Sequence, residues 1–330
     1  MPRRTVATLA SVSLAATVVA VLAAAPGARA DLITQCIGTG GAVTVPTDLY
    51  VPEGKSCALT GTTVNGDVDV AAGANLVFTG GHVDGDVRVA ADGYLDATGT
   101  TIGGGVVLAP GGYGAFLKGA RAGSVTVAAR GDTTVDSFLF AERATIAGNL
   151  SVAAGEVRLD RTTQVQGDVS TTGTYYTDVH DSFVDGALSV REATAGSVVC
   201  GSAVRGGATF TGNAGGVQLG PNGNLDGCAS GGYWGRDVTI TNTGTGVTVD
   251  DNIIDGKLVT TGNNPAARVA ANNRVRGGVA GDQAPTAAGA QPRGGAGAMR
   301  ARATTGERRG QARRASAVQQ AAAAGDAGLR

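Results

Sequence analysis

Branched apolar residues alternate with polar residues around a glycine that returns about every twenty residues along most of the chain. The stretches "VNGDVDV" (64–70) and "VDGDVRV" (83–89) show this pattern, as do "VQGDVST" (165–171) and "VDGALSV" (184–190). A fixed period sustained over most of a domain is typical of a repeat architecture. The glycines that mark the repeat are Gly66, Gly85, Gly104, Gly123, Gly148, Gly167, Gly186, Gly206, Gly235, Gly256 and Gly277.

The alternation within each repeat predicts short strands with one buried face. Val or Ile stands two residues before most of the marker glycines, and Val or Leu stands two residues after them. A second apolar pair, such as Leu76 and Phe78, precedes the glycine by nine and seven residues. Strands of this length, closing one turn per repeat, predict a parallel β-solenoid. Eleven or twelve coils at ~4.8 Å each would form a rod roughly 50–55 Å long.

A small or polar residue recurs four positions before the marker glycine, and glycine itself is abundant, at 55 of 330 residues. Identical polar side chains stacked at a turn can form hydrogen-bonded ladders, and Asn252 above Asn273 is the best candidate. We expect glycine to serve the tight corners of the coils. The recurring polar residues are Thr62, Thr100, Thr163, Ser182, Ser202, Asn252 and Asn273.

From about Gly41 to Ala280 the chain resembles the right-handed, single-stranded parallel β-helix proteins, and the four motifs quoted above carry the likeness. That superfamily includes polysaccharide lyases and hydrolases, adhesin-like surface proteins and, with similarly short coils, the polymerising bactofilins. The resemblance implies an all-β fold with coils of 19–21 residues and says little about function. A left-handed helix of hexapeptide repeats is the structural alternative, but its six-residue period is absent.

The first thirty residues have the features of a cleaved secretory signal. Arg3 and Arg4 precede an apolar run, and the A-x-A-like site at 28–30 predicts cleavage after Ala30. An uncleaved anchor and a twin-arginine signal are the alternatives. No further apolar span of membrane length follows, so we expect a secreted or cell-surface protein without a transmembrane segment.

Charge separates the folded body from the end of the chain. Residues 31–280 hold 15 Lys and Arg against 24 Asp and Glu, a net charge of −9, which argues against nucleic acid as a partner of the body. Residues 281–330 are rich in Ala, Gly and Arg, carry a net charge of +5 and predict a disordered basic tail. Such a tail could bind an anionic envelope polymer or nucleic acid, or remain solvated without a partner.

Four cysteines in a secreted chain suggest two disulfides. Cys36 and Cys57 lie 21 residues apart, about one coil, and Cys200 and Cys228 have nearly the same phase in consecutive coils. Residues stacked one coil apart are within disulfide reach, which predicts the pairs Cys36–Cys57 and Cys200–Cys228. The spacing does not match a zinc site.

Two long repeat steps predict insertions within 128–144 and 211–234. The second ends at Tyr233 and Trp234, which are predicted either to form a stacking platform for a sugar ring or to cover an exposed coil edge. In the repeats around Gly66 and Gly85, stacking should place Asp69 beside Arg88, and Asp67 beside Asp86 on the outer face. The second pair would repel unless solvated or bridged, and calcium is a candidate bridge.

No catalytic residue is predicted. The two histidines, His82 and His180, have no nucleophile motif nearby, and the repertoire of hydrolase, metalloprotease and phosphate-loop motifs is absent. The sequence therefore favours a secreted, non-enzymatic structural protein of a surface or matrix, in contact with polysaccharide. The alternative is a polysaccharide lyase or hydrolase that uses the acidic face, with or without calcium. Self-association is a further hypothesis.

Overall fold

A computed structural model describes residues 33–284 and 296–329 of the chain. Over residues 33–284 the chain forms a parallel β-solenoid, in which three long sheets of 13, 12 and 12 strands run along the stack of coils. Each of twelve coils contributes one strand to sheet A, then one to sheet B and one to sheet C. The prediction of an all-β parallel solenoid is confirmed, while its handedness stays a prediction. The predicted signal segment, 1–30, lies outside the described residues.

The strands are short, because the roughly twenty residues of one coil have to supply a strand to each of the three sheets. Sheet A contains Ile33–Gln35, Asp48–Val51, Val68–Val70, Val87–Val89, Val106–Leu108, Val125–Val127, Leu150–Val152, Val169–Thr172, Leu188–Arg191, Ala208–Thr211, Val238–Thr241, Leu258–Thr261 and Val279–Gly281. Sheet B contains Gly38–Gly40, Ser56–Thr60, Asn75–Thr79, Tyr94–Thr98, Gly114–Lys118, Phe138–Glu142, Glu156–Asp160, Tyr176–His180, Ser197–Cys200, Val217–Leu219, Val247–Val249 and Arg268–Val269. Sheet C contains Thr44–Val45, Thr63–Val64, His82–Val83, Thr101–Ile102, Arg121–Ala122, Thr145–Ile146, Gln164–Val165, Phe183–Val184, Ala203–Val204, Tyr233–Trp234, Ile253–Ile254 and Arg274–Val275.

The core is a continuous column of apolar side chains inside the coils. Val64 and Val68, two residues either side of Gly66, are both fully buried in it, as are Leu76 and Phe78 of sheet B. The same positions recur in register from coil to coil, because each strand pairs with its equivalent in the next repeat. The apolar alternation read from the sequence therefore identifies the inward face.

The coil that contains the second insertion departs from the glycine series by one residue. Trp234 pairs with Val204 on one side and Ile254 on the other, so Arg236, not Gly235, occupies the corner position in this coil. A shift of one residue exchanges the two faces of a strand. As a result Trp234 points into the core and Tyr233 points outward.

The marker glycines are required for space. Gly85 does not adopt a positive φ, in contrast to Gly80 (φ 58°) at another corner of the coil. A Cβ added to Gly85 would overlap Oδ1 of Asp67 in the preceding coil and would lie 2.8 Å from the carbonyl oxygen of Gly66. The expectation that glycine serves the corners is correct, but at the marker position the reason is the close approach of the neighbouring coil.

The polar position four before the marker forms the predicted ladder at the C-terminal end of the solenoid. Asn252 is fully buried, and its side-chain amide donates to the side-chain oxygen of Asn273 at 3.2 Å. In other coils the same position is a buried Thr or Ser that donates to a backbone carbonyl, as Thr100 does to Phe78 at 2.9 Å. These bonds satisfy polar groups in the core that would otherwise be costly to bury.

Both predicted disulfides are present. Cys36–Cys57 joins the first two coils, with the Cα atoms 5.6 Å apart. Cys200–Cys228 ties the long insertion to sheet B, with the Cα atoms 5.4 Å apart. Cysteines in neighbouring coils are therefore bonded to each other, as predicted.

Part of the predicted disordered tail is helical and docks on the solenoid. A helix, α1 (Ala296–Ala324), contacts sheet B, and Gly325–Leu329 reach the first coil, where Thr39 donates to Gly325 O and accepts from Ala327 N–H. Composition indicated no buried surface, but Ala317 and Ala321 are buried and Leu329 packs into the solenoid core. Alanine and arginine favour helix formation, and the helix is stabilised by contacts with residues more than 140 positions earlier. Residues 285–295 lie outside the described residues.

Within the described part of the chain, no helix is long and apolar enough to cross a membrane.

Candidate functional site

The aspartates that follow the marker glycines bond to the neighbouring coil. Oδ1 of Asp67 accepts the backbone N–H of Asp86 at 2.8 Å, and Oδ1 of Asp86 accepts the N–H of Gly105 at 2.8 Å. Asp48 makes the same bond to Asp67 at 2.7 Å. These carboxylates thus hold adjacent corners together, so Asp67 of "VNGDVDV" is part of the scaffold.

Arg88 occupies the position between the two carboxylates for which calcium was a candidate. Its guanidinium lies 2.6 Å from Oδ2 of Asp67, 3.0 Å from Oδ2 of Asp86 and 3.9 Å from Oδ1 of Asp69. The predicted neighbours Asp69 and Arg88 are paired in register. The backbone hydrogen bond from Asp86, followed by the bond to Arg88, lowers the pKa of Asp67. Burial raises the pKa of Asp69.

The metal hypothesis at Asp67 and Asp86 stays a prediction, but Arg88 already supplies a cation to both carboxylates. The repulsion that called for a bridging cation is relieved by the guanidinium of Arg88. Among residues 33–284 and 305–329, no cluster of three or more His, Cys, Asp or Glu side chains is arranged to hold a metal ion.

Tyr233 and Trp234 do not form a common stacking platform. Trp234 is fully buried, meets Phe210 edge-on with ring centroids 6.3 Å apart, and donates its indole N–H to Asn252 at 2.9 Å. Tyr233 lies on the opposite face of the same strand and donates its hydroxyl to Asp255 at 2.7 Å. Trp234 is therefore a core residue, and Tyr233 is the accessible one.

Tyr233 belongs to an exposed apolar column on sheet C. The column runs from Phe183 through Ala203 and Tyr233 to Ile253, which are neighbours in consecutive coils. The three large side chains are 48%, 39% and 37% exposed, and Ala203 leaves a gap between the two aromatic rings. A concave region of about 640 Å³ lies over this column, bordered by the insertion at Ser230–Gly232.

Charged residues flank the aromatic column. Two ion pairs join successive coils beside it, Asp185 with Arg205 at 3.1 Å and Asp255 with Arg276 at 2.9 Å. Gln164 donates to Asp185 at 2.7 Å, and Asp255 accepts from Tyr233. An apolar strip beside hydrogen-bonding groups can accept a ligand with one apolar face and polar edges.

Sequence reasoning found Tyr233 in this column and missed Phe183. The missed signal was available: Phe183 stands directly before Val184, at an outward position of a strand, where most coils carry a polar or small residue. An exposed Phe that lies in line with other exposed apolar side chains, unlike a single one, can mark an interaction surface.

Comparison of the chain with protein-family models, with curated proteins and with solved structures gives no significant match.

Proposed function

We propose that the protein is a secreted, non-enzymatic β-solenoid of a surface or matrix, and that it contacts linear polysaccharide along the Phe183–Tyr233–Ile253 column of sheet C. The exposed pair of aromatic rings on a rigid sheet is the observation that carries the proposal. Aromatic side chains bind the apolar faces of sugar rings, and two of them on strands two coils apart in one sheet define a line along which a polymer chain can lie.

The scaffold supports a structural role. Parallel pairing through twelve coils fixes the spacing of surface residues at ~4.8 Å per coil, so Phe183 and Tyr233, two coils apart, stand about 10 Å from each other. A sugar ring can occupy the gap above Ala203. The Asp–Arg pairs offer donors and acceptors to hydroxyl groups at the edges of the polymer.

Secretion is supported by the disulfides and by the signal-like start of the chain. Cys36–Cys57 and Cys200–Cys228 are typical of proteins that mature in an oxidising compartment. The basic N-terminal residues and the apolar run that follows them are typical of a signal segment.

A polysaccharide lyase or hydrolase that acts through Asp67 and Asp86 receives less support. Both carboxylates bond to backbone N–H groups and to Arg88, so neither is free to accept a proton from a substrate without breaking the corner of the coil. Assays of the secreted protein on polygalacturonate and hyaluronan, with and without calcium, test this alternative. Turnover that Asp67→Ala or Asp86→Ala abolishes would refute the non-enzymatic proposal.

The binding proposal is tested by affinity electrophoresis in gels that contain polygalacturonate, hyaluronan or soluble cellulose derivatives. The native protein is expected to be retarded by at least one polymer, and Phe183→Ala combined with Tyr233→Ala is expected to remove the retardation. Val107→Ala is the matched control, because Val107 is also 37% exposed but lies on the outer face of sheet A. Equal retardation of the double variant and the control would reject the sheet C column as the binding surface.

A further inference from the structure

The outward face of sheet B carries a second apolar cluster with acidic side chains beside it. The aromatic members of this cluster, which is separate from the core inside the coils, are Tyr94, Phe138, Phe140 and Tyr176. The rings of Phe138 and Phe140 stack with their centroids 4.8 Å apart. The carboxylates of Asp96 and Glu156 are almost completely buried on this face. We call this face, from Ser56 to Tyr176, the sheet B groove.

Helix α1 lies in this groove and supplies cations to its carboxylates. Arg309 pairs with Glu156 at 2.9 Å, and Arg314 pairs with Asp96 at 3.0 Å. Arg313 donates to the side chain of Asn75 at 2.6 Å and stands over the ring of Tyr113 at 4.8 Å. Acidic groups beside aromatic rings are a suitable receptor for guanidinium groups.

The helix also covers aromatic side chains: Tyr94, Phe138 and Phe140 are on the outward face of sheet B, yet they are only 1–3% exposed. The helix presents Gly306, Gly310, Ala317 and Ala321 to the sheet. A Cβ on Gly310 would lie 3.2 Å from the ring of Phe138, so glycine allows the helix to approach the stacked aromatic rings closely. A cavity of about 390 Å³ remains between helix and sheet, beside Asp96 and Arg314. The contact therefore combines burial of aromatic surface with the arginine–carboxylate pairs.

The segment that contains α1 starts from the last coil of the solenoid and ends at the first coil. Residues 279–284 end the last coil, whereas Gly325–Leu329 contact the first coil. The connecting residues 285–295, "PTAAGAQPRGG", contain no large side chain other than those of Gln291 and Arg293. These eleven residues can span at most about 36–40 Å between the last coil and the start of α1.

We propose that α1 is an exchangeable connector, which docks either in the sheet B groove of its own chain or in that of a second copy. Every copy carries both the groove and the arginine helix, so exchange in trans reproduces the contacts made in cis. Because the tail leaves the last coil and caps the first, exchange joins the copies head to tail. A head-to-tail contact that does not close extends into a filament.

Tethering favours the intramolecular contact in dilute solution, since a short linker gives an effective concentration in the millimolar range. Exchange then prevails where the protein is concentrated. The proposal does not depend on polysaccharide binding, because the sheet C column and the sheet B groove are different faces.

Two charge-reversed variants of the full chain separate the helix from the groove. Arg309→Glu with Arg314→Glu gives a chain whose own helix is repelled by its groove. Asp96→Arg with Glu156→Arg gives a chain whose groove repels its own helix. Each variant alone is expected to be monomeric by light scattering after size exclusion, and their mixture is expected to form a 1:1 complex or a larger assembly that weakens with added salt.

A mixture that stays monomeric, with both variants folded by circular dichroism, would overturn the proposal. If the groove variant does not fold, a labelled peptide of residues 296–330 is titrated into the helix variant, whose groove is unaltered. We expect the native peptide to bind at least about tenfold more tightly than the peptide carrying R309E and R314E. An R308E peptide is the control for charge, because Arg308 is exposed. Equal binding of all three peptides would reject the arginine-specific groove.

Discussion

The side chain of Asp67 accepts a hydrogen bond from the backbone N–H of Asp86, 19 residues later and one coil further along the solenoid, at 2.8 Å. This contact explains why Gly and Asp occur together in the repeat. The carboxylate of one coil fills the space above its own corner, and only a residue without a side chain fits there in the next coil. Each of these corners is therefore stabilised by a contact with the next repeat.

Gly85→Ala is expected to destabilise the protein by about 1–3 kcal/mol, because its Cβ would overlap Asp67 Oδ1 and crowd the backbone of Gly66. Urea unfolding followed by circular dichroism measures the change. Gly41→Ala is the control, since a Cβ at Gly41 meets no atom within 4 Å. Equal unfolding midpoints for the two variants would contradict the need for space at the marker glycine.

Asn252→Ala is expected to lower the free energy of unfolding by about 3 kcal/mol, because several buried polar groups lose their hydrogen-bond partners at once. The side chain of Asn252 accepts from the indole N–H of Trp234 and donates to the carbonyls of Leu219 and Asp250. Asn272→Ala, at an exposed neighbouring position, is expected to change the free energy of unfolding far less. An equal decrease in the free energy of unfolding for both variants would show that the buried hydrogen bonds of Asn252 do not stabilise the protein.

Asp178→Asn is expected to stabilise the protein more at pH 8 than at pH 5, by about 1–3 kcal/mol. Burial, followed by repulsion from Asp226, raises the pKa of Asp178 from 3.8 to about 8. Between those two values the folded state binds a proton that the unfolded state has lost, so the free energy of unfolding of the native protein decreases as pH rises. The asparagine variant lacks this ionisation and should lose that decrease.

The measurement is the difference in unfolding free energy between variant and native protein at pH 5, 6.5 and 8. Taking the difference removes the contribution of His180, whose pKa is lowered by burial and whose effect on stability has the opposite sign. Asp132→Asn, in the exposed first insertion, is the control. A difference that does not change with pH would show that the pKa of Asp178 is not raised in the folded protein, so that its carboxyl is ionised in both states.

Removal of the Cys200–Cys228 disulfide by paired serine substitutions is expected to lower the free energy of unfolding by about 3–4 kcal/mol. The reason is that the unfolded chain gains the entropy of an open 28-residue loop. Hydrogen exchange should also become faster at 220–232, because the disulfide tethers this insertion to sheet B. The equivalent change at Cys36 and Cys57 is expected to have a similar cost, with faster exchange in the first coil instead. Unchanged exchange at 220–232 would indicate that other contacts hold the insertion.

Local periodicity made much of this structure predictable. Stacked coils repeat the same backbone path, so positions such as Val64 and Val83 have the same surroundings, and a cysteine one coil from another is within reach of it. The Asn252–Asn273 bond follows from the same rule. Prediction failed where one residue was inserted relative to the repeat, since the shift at Arg236 turned Trp234 inward.

The sequence by itself determined the solenoid, the inward face, the two disulfides and the polar ladder, because each depends on contacts one repeat apart. Only the tertiary structure decided the position of Arg88 between Asp67 and Asp86, the alignment of Phe183 with Tyr233, and the docking of α1 against Asp96 and Glu156. These contacts depend on where side chains point and on residues brought together from distant positions. The period of the repeat carries no information about them.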